Sequence, residues 1–153
     1  MTSSSRSVGI VLVLLLTNCD LPQNSSASKG QIQELVKQFA DSAQRDVNAM
    51  LAMYEQGPET VSIGNSEIQR GMEAIRKNAD TNLVPALGKF KYDLGSIDVT
   101  LLEGGYALAI TPFVMTENTS SPFARQLKGA STLLWKKTKD GWKIIHEHES
   151  LQP

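Results

Sequence analysis

The second half of the chain, from residue 90 onward, consists of segments with strand composition. These segments read FKYDLGSIDVTLLE, YALAITPFVMTE, RQLKGASTLLWKK and GWKIIHEHES, and each is rich in β-branched, aliphatic and aromatic residues. Glycine-rich and polar turns separate them. The sequence therefore predicts a sheet of four long antiparallel strands, against which the first half has to pack.

Two of these segments contain an interruption. Apolar residues alternate from Phe90 to Leu94 and resume out of phase at Ile97, so one residue near Gly95 or Ser96 is expected to bulge out. Pro112 lies inside the next segment, where it has no N–H to donate to the ladder. We therefore expect a strongly bent sheet with a second irregularity at Pro112.

Three stretches in the first half carry apolar residues at helical spacing. The first follows a capping box at Ser28, the second begins at Asp46, and the third covers residues 71–83. ETVSIG and EIQRG form a strand pair before the third helix. The predicted fold class is α+β, with three N-terminal helices packed on a strongly bent, mostly antiparallel sheet. Such a cone encloses an inner pocket.

The N-terminal segment predicts export. A single charge at Arg6 precedes nine apolar or small residues, 8–16. This run is shorter than the roughly 20 residues of a membrane-spanning helix and suits a secretory signal. We assign residues 1–18 to a signal peptide, 19–29 to a polar tether and 30–153 to the folded domain.

The residues around Cys19 resemble the lipobox of bacterial lipoproteins, in which the cysteine is lipidated. Asn18 departs from the small residue usual before that cysteine, and Asp20 resembles the signal for retention in the inner membrane. The resemblance implies lipidation of Cys19 and an inner-membrane lipoprotein facing the periplasm. The alternative is cleavage near Ala27, which gives a soluble periplasmic or secreted protein.

The order of elements resembles the SnoaL-like branch of the nuclear-transport-factor-like (NTF2-like) superfamily. Two motifs carry the resemblance, Gly-x-x-x-Ile-Arg at Gly71–Arg76 and Gly-Trp-x-Ile-x-His-x-His at Gly141–His148. It covers residues 30–151 and implies the cone fold. The superfamily includes isomerases, cyclases, dehydratases and proteins that only bind or assemble, so the fold leaves the function open.

Both histidines of the chain lie in the last predicted strand. Alternation places His146 and His148 on the same face as Trp142 and Ile144, which have to be buried. We therefore expect both imidazoles to line the pocket, where they could act as general acid and base or orient a ligand. Metal binding lacks a third ligand, because Glu147 and Glu149 are expected to face away.

Other side chains are candidates for contact with a ligand. Tyrosines can donate to a substrate oxygen, an aspartate can act as a base, and a methionine can line an adaptable apolar wall. The candidates are Tyr54, Tyr92, Tyr106, Asp98 and Met50. No cofactor and no metal are implied.

Charge and surface patterning restrict the partners. Lys and Arg number 15 against 16 Asp and Glu, so no basic surface for nucleic acid is indicated. Leu133–Trp135 and Ile144–Ile145 are consecutive apolar residues, so the sheet is apolar on both faces and a homodimer through the outer face is expected.

Two functions fit these observations. The first is an exported, membrane-tethered domain that binds a small apolar molecule or a protein partner in its pocket. The second is a cofactor-independent isomerase, cyclase or hydrolase that uses the histidines as general acid and base.

Overall fold

The structure, a computed structural model, describes residues 23–64, 66–117 and 124–152. Its helices are α1 (Gln23–Arg45), α2 (Val47–Ala52) and α3 (Gly71–Asn78), the last continued by a π-helical turn (Ala79–Leu83) and a 3-10 turn (Val84–Ala86). Its strands are β1 (Val61–Gly64), β2 (Glu67–Arg70), β3 (Phe90–Leu94), β4 (Asp98–Leu102), β5 (Tyr106–Glu117), β6 (Arg125–Thr138) and β7 (Gly141–Leu151). The predicted α+β fold class is confirmed.

The seven strands form one curled sheet. Their order is β2-β1-β7-β6-β5-β3, and β4 also pairs with β5. All pairings are antiparallel except that of β1 with β7, which is parallel. The helices cover the concave face, and the hydrophobic core lies between the two layers.

Helix α1 supplies the apolar stripe that the sequence predicts. Ile32, Val36 and Phe39 are buried at the helical spacing of three to four residues. The helix begins at Gln23, earlier than the capping box at Ser28 predicts, so the last part of the predicted tether, 23–29, is helical.

The next two helices close one end of the core. Asp46 caps α2 as predicted, because its carboxylate accepts a hydrogen bond from the Ala49 amide at 3.0 Å. Ile75 of α3 and Ala79 just after it are both buried. The predicted stripe of the third helix is therefore confirmed.

The two predicted irregularities are one structural feature. The segment FKYDLGSIDVTLLE forms two strands, β3 and β4, and the strand conformation is interrupted between them from Gly95. The Gly95 amide donates to the Pro112 carbonyl of β5 at 2.8 Å. A Cβ at Gly95 would lie 2.8 Å from Cγ of Pro112, so only glycine fits against the proline ring. The sheet bends here, as expected.

Strand β7 contains a bulge that the sequence analysis did not predict. Trp135 of β6 pairs with Ile144, whereas the preceding residue, Leu134, pairs with His146. Ile145 is therefore the extra residue, and the alternation of side chains reverses after it. Ile144 before the bulge and Glu147 after it are both buried.

The signal peptide and Cys19 lie outside the described residues. Among the residues described, none of the helices combines the length and the apolarity needed to cross a membrane.

Candidate functional site: an acidic cavity in the cone

A cavity of about 770 Å³ opens between the helices and the concave face of the sheet. Its walls are largely apolar, with Val36 and Phe39 from α1, Ile75 from α3 and Leu133 from β6. This volume is within the range of small-molecule sites, roughly 300 to 1,000 Å³. The polar groups in the cavity come mainly from the opposite wall, where β7 and its neighbours run.

Glu147 is the most deeply buried carboxyl group of this wall. Its exposed fraction is 8%. The hydroxyls of Tyr54 and Ser62 both donate to Oε2, the latter at 2.8 Å. Tyr54, the first residue after α2 and its cap, is held by a bridge to Ile144, and Ser62 is the direct neighbour of Glu147 on β1. Three elements therefore hold this carboxyl group in place.

Glu149 lies two residues further along β7 and faces the same cavity. The hydroxyl of Tyr92 donates to its Oε1 at 2.5 Å. Tyr92 is stacked on Phe113, with ring centroids 4.5 Å apart, and its amide donates to the side chain of Gln44 in α1 at 2.9 Å. The tyrosine is therefore fixed at both its ring and its backbone.

Burial shifts the acidity of all four groups. It raises the pKa of Glu149 from 4.5 to about 7, and the charge of Glu147 adds to this shift. Burial also raises the pKa of Glu147, whereas the hydrogen bonds from Tyr54 and Ser62 oppose the change. The pKa values of Tyr54 and Tyr92 are raised by burial and by the nearby carboxylates, so both phenols stay protonated donors.

The two carboxyl groups differ in the number of hydroxyl donors that they accept, and Glu149 is suited to proton exchange. Two hydroxyl donors stabilise the anion at Glu147, whereas a single donor reaches Glu149. A carboxyl group with a pKa near neutrality can donate a proton to a ligand and also accept one.

The structure places the predicted ligand contacts in two groups. Tyr54, Tyr92 and Met50 line the cavity, whereas Tyr106 and Asp98 are not among the residues that do so. Asp98 is exposed on β4 opposite Ile110, on the face of the sheet away from the helices. Tyr106 pairs with Leu102 and Lys136 at the sheet end remote from the cavity.

The placement predicted for the histidines is wrong. Neither His146 nor His148 lines the cavity, and each pairs with an outward-facing residue of β6, Leu134 and Thr132 respectively. The bulge at Ile145 causes this, because it reverses the alternation just before them. Trp142 and Ile144 do pack toward the core, as predicted.

Sequence reasoning missed the carboxylates for the same reason. Glu147 and Glu149 were expected to face solvent, and the reversal turns them inward. Ser62 and Gln69, on β1 and β2, were also missed; both line the cavity. The consecutive Ile144 and Ile145 were the available signal, since two adjacent apolar residues fit a bulge as well as a sheet apolar on both faces.

The described residues contain no group of three or more His, Cys, Asp or Glu side chains placed to hold a metal ion.

Solved structures share this architecture. An NTF2-like superfamily protein from Salmonella enterica is 22% identical with a TM-score of 0.74, over 84% of this chain and 94% of that one. A putative dehydratase of the NTF2-like family from Streptomyces avermitilis is 13% identical with a TM-score of 0.75, over 84% and 99%. The association domain of C. elegans CaMKII is 14% identical with a TM-score of 0.69, over 84% and 98%. Comparison with curated proteins gave no match.

Helices packed on a curled sheet, with a cavity between them, define an NTF2-like α+β domain. The family model for the SnoaL-like domain matches residues 32–153. The chain therefore belongs to the SnoaL-like family, as the sequence resemblance implied.

Proposed function

We propose that the chain is a cofactor-independent enzyme that binds a small, mainly apolar molecule and transfers a proton to or from it through Glu149. One observation carries this proposal: a carboxyl group with a pKa of about 7 lines a largely apolar cavity. Burying ionisable groups in this way is costly for folding and is common at catalytic sites. Glu147 and Glu149, which were expected from the sequence to face away from the pocket, supply it with acidic groups.

Each polar group has a role in this proposal. Glu149 exchanges the proton, and Tyr92 holds its carboxyl group by a hydrogen bond of 2.5 Å. The hydrogen bonds from two hydroxyl donors favour the ionised form of Glu147 against the effect of its burial, and the negative charge of that form favours the protonated form of Glu149. The apolar walls lower the polarity around the carboxyl groups, which strengthens each electrostatic interaction. The fold shared with a putative dehydratase is compatible with such chemistry.

The acidity of Glu149 provides the first test. We expect carbon-13 NMR of glutamate-labelled protein to show one carboxyl resonance that titrates at a pH of about 7 and is lost in Glu149→Gln. If every side-chain carboxyl resonance instead titrated near the ordinary value of about 4.3, the proton-transfer role would be contradicted. A parallel measurement follows the exchange of protons next to the carbonyl of small cyclic ketones in deuterated water, which the wild type should accelerate.

We also propose that the protein is exported and anchored to the membrane by lipid at Cys19. The support is the apolar run of residues 8–16 and the lipobox-like sequence that follows it. Two or more acyl chains, at about 0.8 kcal/mol for each buried methylene group, would hold the domain at the membrane surface. Labelled palmitate should enter the wild type and not Cys19→Ala. Equal labelling of the two proteins, or none in either, would contradict the anchor.

We further propose that two chains associate through the outer face of the sheet. Leu108 and Leu134 pair on this face, His146 continues the row on β7, and Ile110 nearby is 44% exposed. The helices leave this face uncovered. The name of the C. elegans relative describes an association domain of the same fold.

The dimer predicts a specific effect of charge on the outer face. The full chain with Ile110→Lys should sediment as a monomer at concentrations where the wild type is dimeric, because the lysine would be buried unpaired. Val84→Lys is the matched control, since Val84 is 43% exposed but lies in the 3-10 turn, away from that face. A monomeric wild type would rule the dimer out.

A further inference from the structure

The side chains that line the cavity carry an excess of negative charge. Among the residues that the structure describes, four carboxyl groups face it, from Glu67, Glu117, Glu147 and Glu149, against the single ammonium of Lys89. Lys89 is exposed at the rim, and its Nζ donates to the Pro85 carbonyl at 2.8 Å. The deep part of the cavity is therefore lined by carboxyl groups with no lysine or arginine among the described residues beside them.

Three of the hydroxyl groups near these carboxylates do not offer hydrogens to a ligand. Tyr54 and Ser62 donate to Glu147, and Tyr92 donates to Glu149. Each hydroxyl has one hydrogen, and all three hydrogens are used. What remains for a ligand on this wall is mainly hydrogen-bond acceptors.

Gln69 adds an acceptor that has no partner in the described protein. Its side chain is 8% exposed and lines the cavity, and its Oε1 is buried without a hydrogen bond. The orientation of the amide follows from the other atom, because Nε2 lies 3.4 Å from the Glu67 carboxylate. Turning the amide over would bring its oxygen to that carboxylate. A buried acceptor left unpaired costs free energy that a donor from a ligand would recover.

The acceptors lie in one row across the sheet. Gln69 of β2 pairs with Ser62 of β1, and Ser62 pairs with Glu147 of β7. Neighbouring strands are about 4.8 Å apart, so the backbones of Gln69 and Glu147 are about 10 Å apart. The small serine between two longer side chains leaves a niche whose two sides are an amide oxygen and a carboxylate.

We propose that the molecule bound in this cavity carries a protonated amine on an apolar body, with the ammonium group in the niche over Ser62. An ammonium group has three donors and no acceptor, so it can satisfy Gln69 Oε1 and Glu147 together. A hydroxyl supplies one donor, and an anionic group would be repelled by the carboxylates. The apolar body contacts Val36, Phe39 and the rest of the apolar wall.

This inference rests on the proposed function, in that a small molecule occupies the cavity. Three probes with one apolar body test it by calorimetry on the full chain: adamantylmethylamine, adamantylmethanol and adamantanecarboxylate. The amine should bind at least about tenfold more tightly than the alcohol, because charge-assisted hydrogen bonds are about twice as strong as neutral ones. The carboxylate should not bind measurably. Equal or tighter binding of the alcohol or the carboxylate would overturn the proposal, as would no binding of the amine.

Two variants locate the effect. Glu147→Gln keeps the shape and removes the charge, so the preference for the amine should fall by about tenfold. Gln69→Leu removes the unpaired oxygen without changing charge and should weaken amine binding severalfold. Glu103→Gln, at an exposed turn, is the control for a change in net charge. An amine preference that survives in both variants would place the ammonium elsewhere and overturn the proposal.

The outcomes separate the two proposals. If the wild type catalyses proton exchange but does not prefer the amine, the proposed amine ligand is contradicted and the proposed function is not. If the protein prefers the amine but catalyses proton exchange on none of the ketones, the proposed function is contradicted and the amine site is supported.

Discussion

Glu149→Gln should abolish proton transfer and at the same time make the protein more stable at alkaline pH. The glutamine keeps the shape of the side chain and can still accept a hydrogen bond from Tyr92, but it cannot exchange a proton. We expect the rate of proton exchange to fall by about 10² to 10⁴, the usual contribution of a general acid or base.

The gain in stability follows from the direction of the pKa shift. The pKa of Glu149 is raised from 4.5 to about 7 in the folded chain. As pH rises between these values, the unfolded chain loses this proton and the folded chain keeps it, so the free energy of unfolding decreases. The loss is complete above pH 7 and amounts to at most about 3 kcal/mol. Glutamine has no proton to lose, so the variant avoids this loss.

Urea unfolding at pH 5 and pH 8 measures the effect. The advantage of Glu149→Gln over the wild type should be larger at pH 8, whereas Glu103→Gln should show no comparable change between the two. A Glu149→Gln protein that is relatively less stable at pH 8 than at pH 5 would contradict the burial of this carboxyl group.

His146→Gln and His148→Gln distinguish the site predicted from the sequence from the site in the cavity. If proton exchange were lost in these two variants and intact in Glu149→Gln, the histidines and not Glu149 would be the proton-transfer groups.

Gly129→Ala should destabilise the fold by about 3 kcal/mol, because it overpacks the concave face. A Cβ at this position would lie 2.5 Å from Cζ of Phe113 and closer still to the carbonyl oxygen of Ser150. The backbone oxygen belongs to the neighbouring strand β7, so relief requires the two strands to separate.

The same substitution should disturb the site. Phe113 stacks on Tyr92, and Tyr92 holds Glu149, so a displaced ring moves the hydrogen-bond donor. Thermal unfolding measures the loss of stability, and Gly30→Ala is the control. Nothing lies within 4 Å of a Cβ at Gly30, and alanine inside α1 should stabilise the helix by up to about 1 kcal/mol. A Gly129→Ala protein as stable as the wild type would show that the two strands adjust without cost.

The fold was predictable because its signals are periodic and repeated. The apolar stripe of α1 and the alternation in the long strands each involve several residues, so one irregular position does not change the conclusion. Tyr54, Tyr92 and Met50 were placed in the cavity correctly. The break at Gly95 was also predictable, because the alternation is visible on both sides of it.

The chemistry of the cavity was not predictable in the same way. Which side chains of β7 face inward depends on a single residue, Ile145, and the adjacent Ile144 fits either arrangement in the sequence alone. Only the pairing of Leu134 with His146 reveals the bulge. The residues after the bulge therefore lie on the opposite face from the one predicted, so carboxylates and not imidazoles line the cavity.

The bulge in β7 has a consequence for how such a pocket can evolve. The strand carries two alternating sets of ionisable side chains, imidazoles at 146 and 148 and carboxylates at 147 and 149. An insertion of one residue between Ile144 and His146 that kept a single bulged residue would turn the imidazoles inward and the carboxylates outward. A lineage with this strand can thus replace its reactive groups in one genetic event, without substituting any of them and without a new fold.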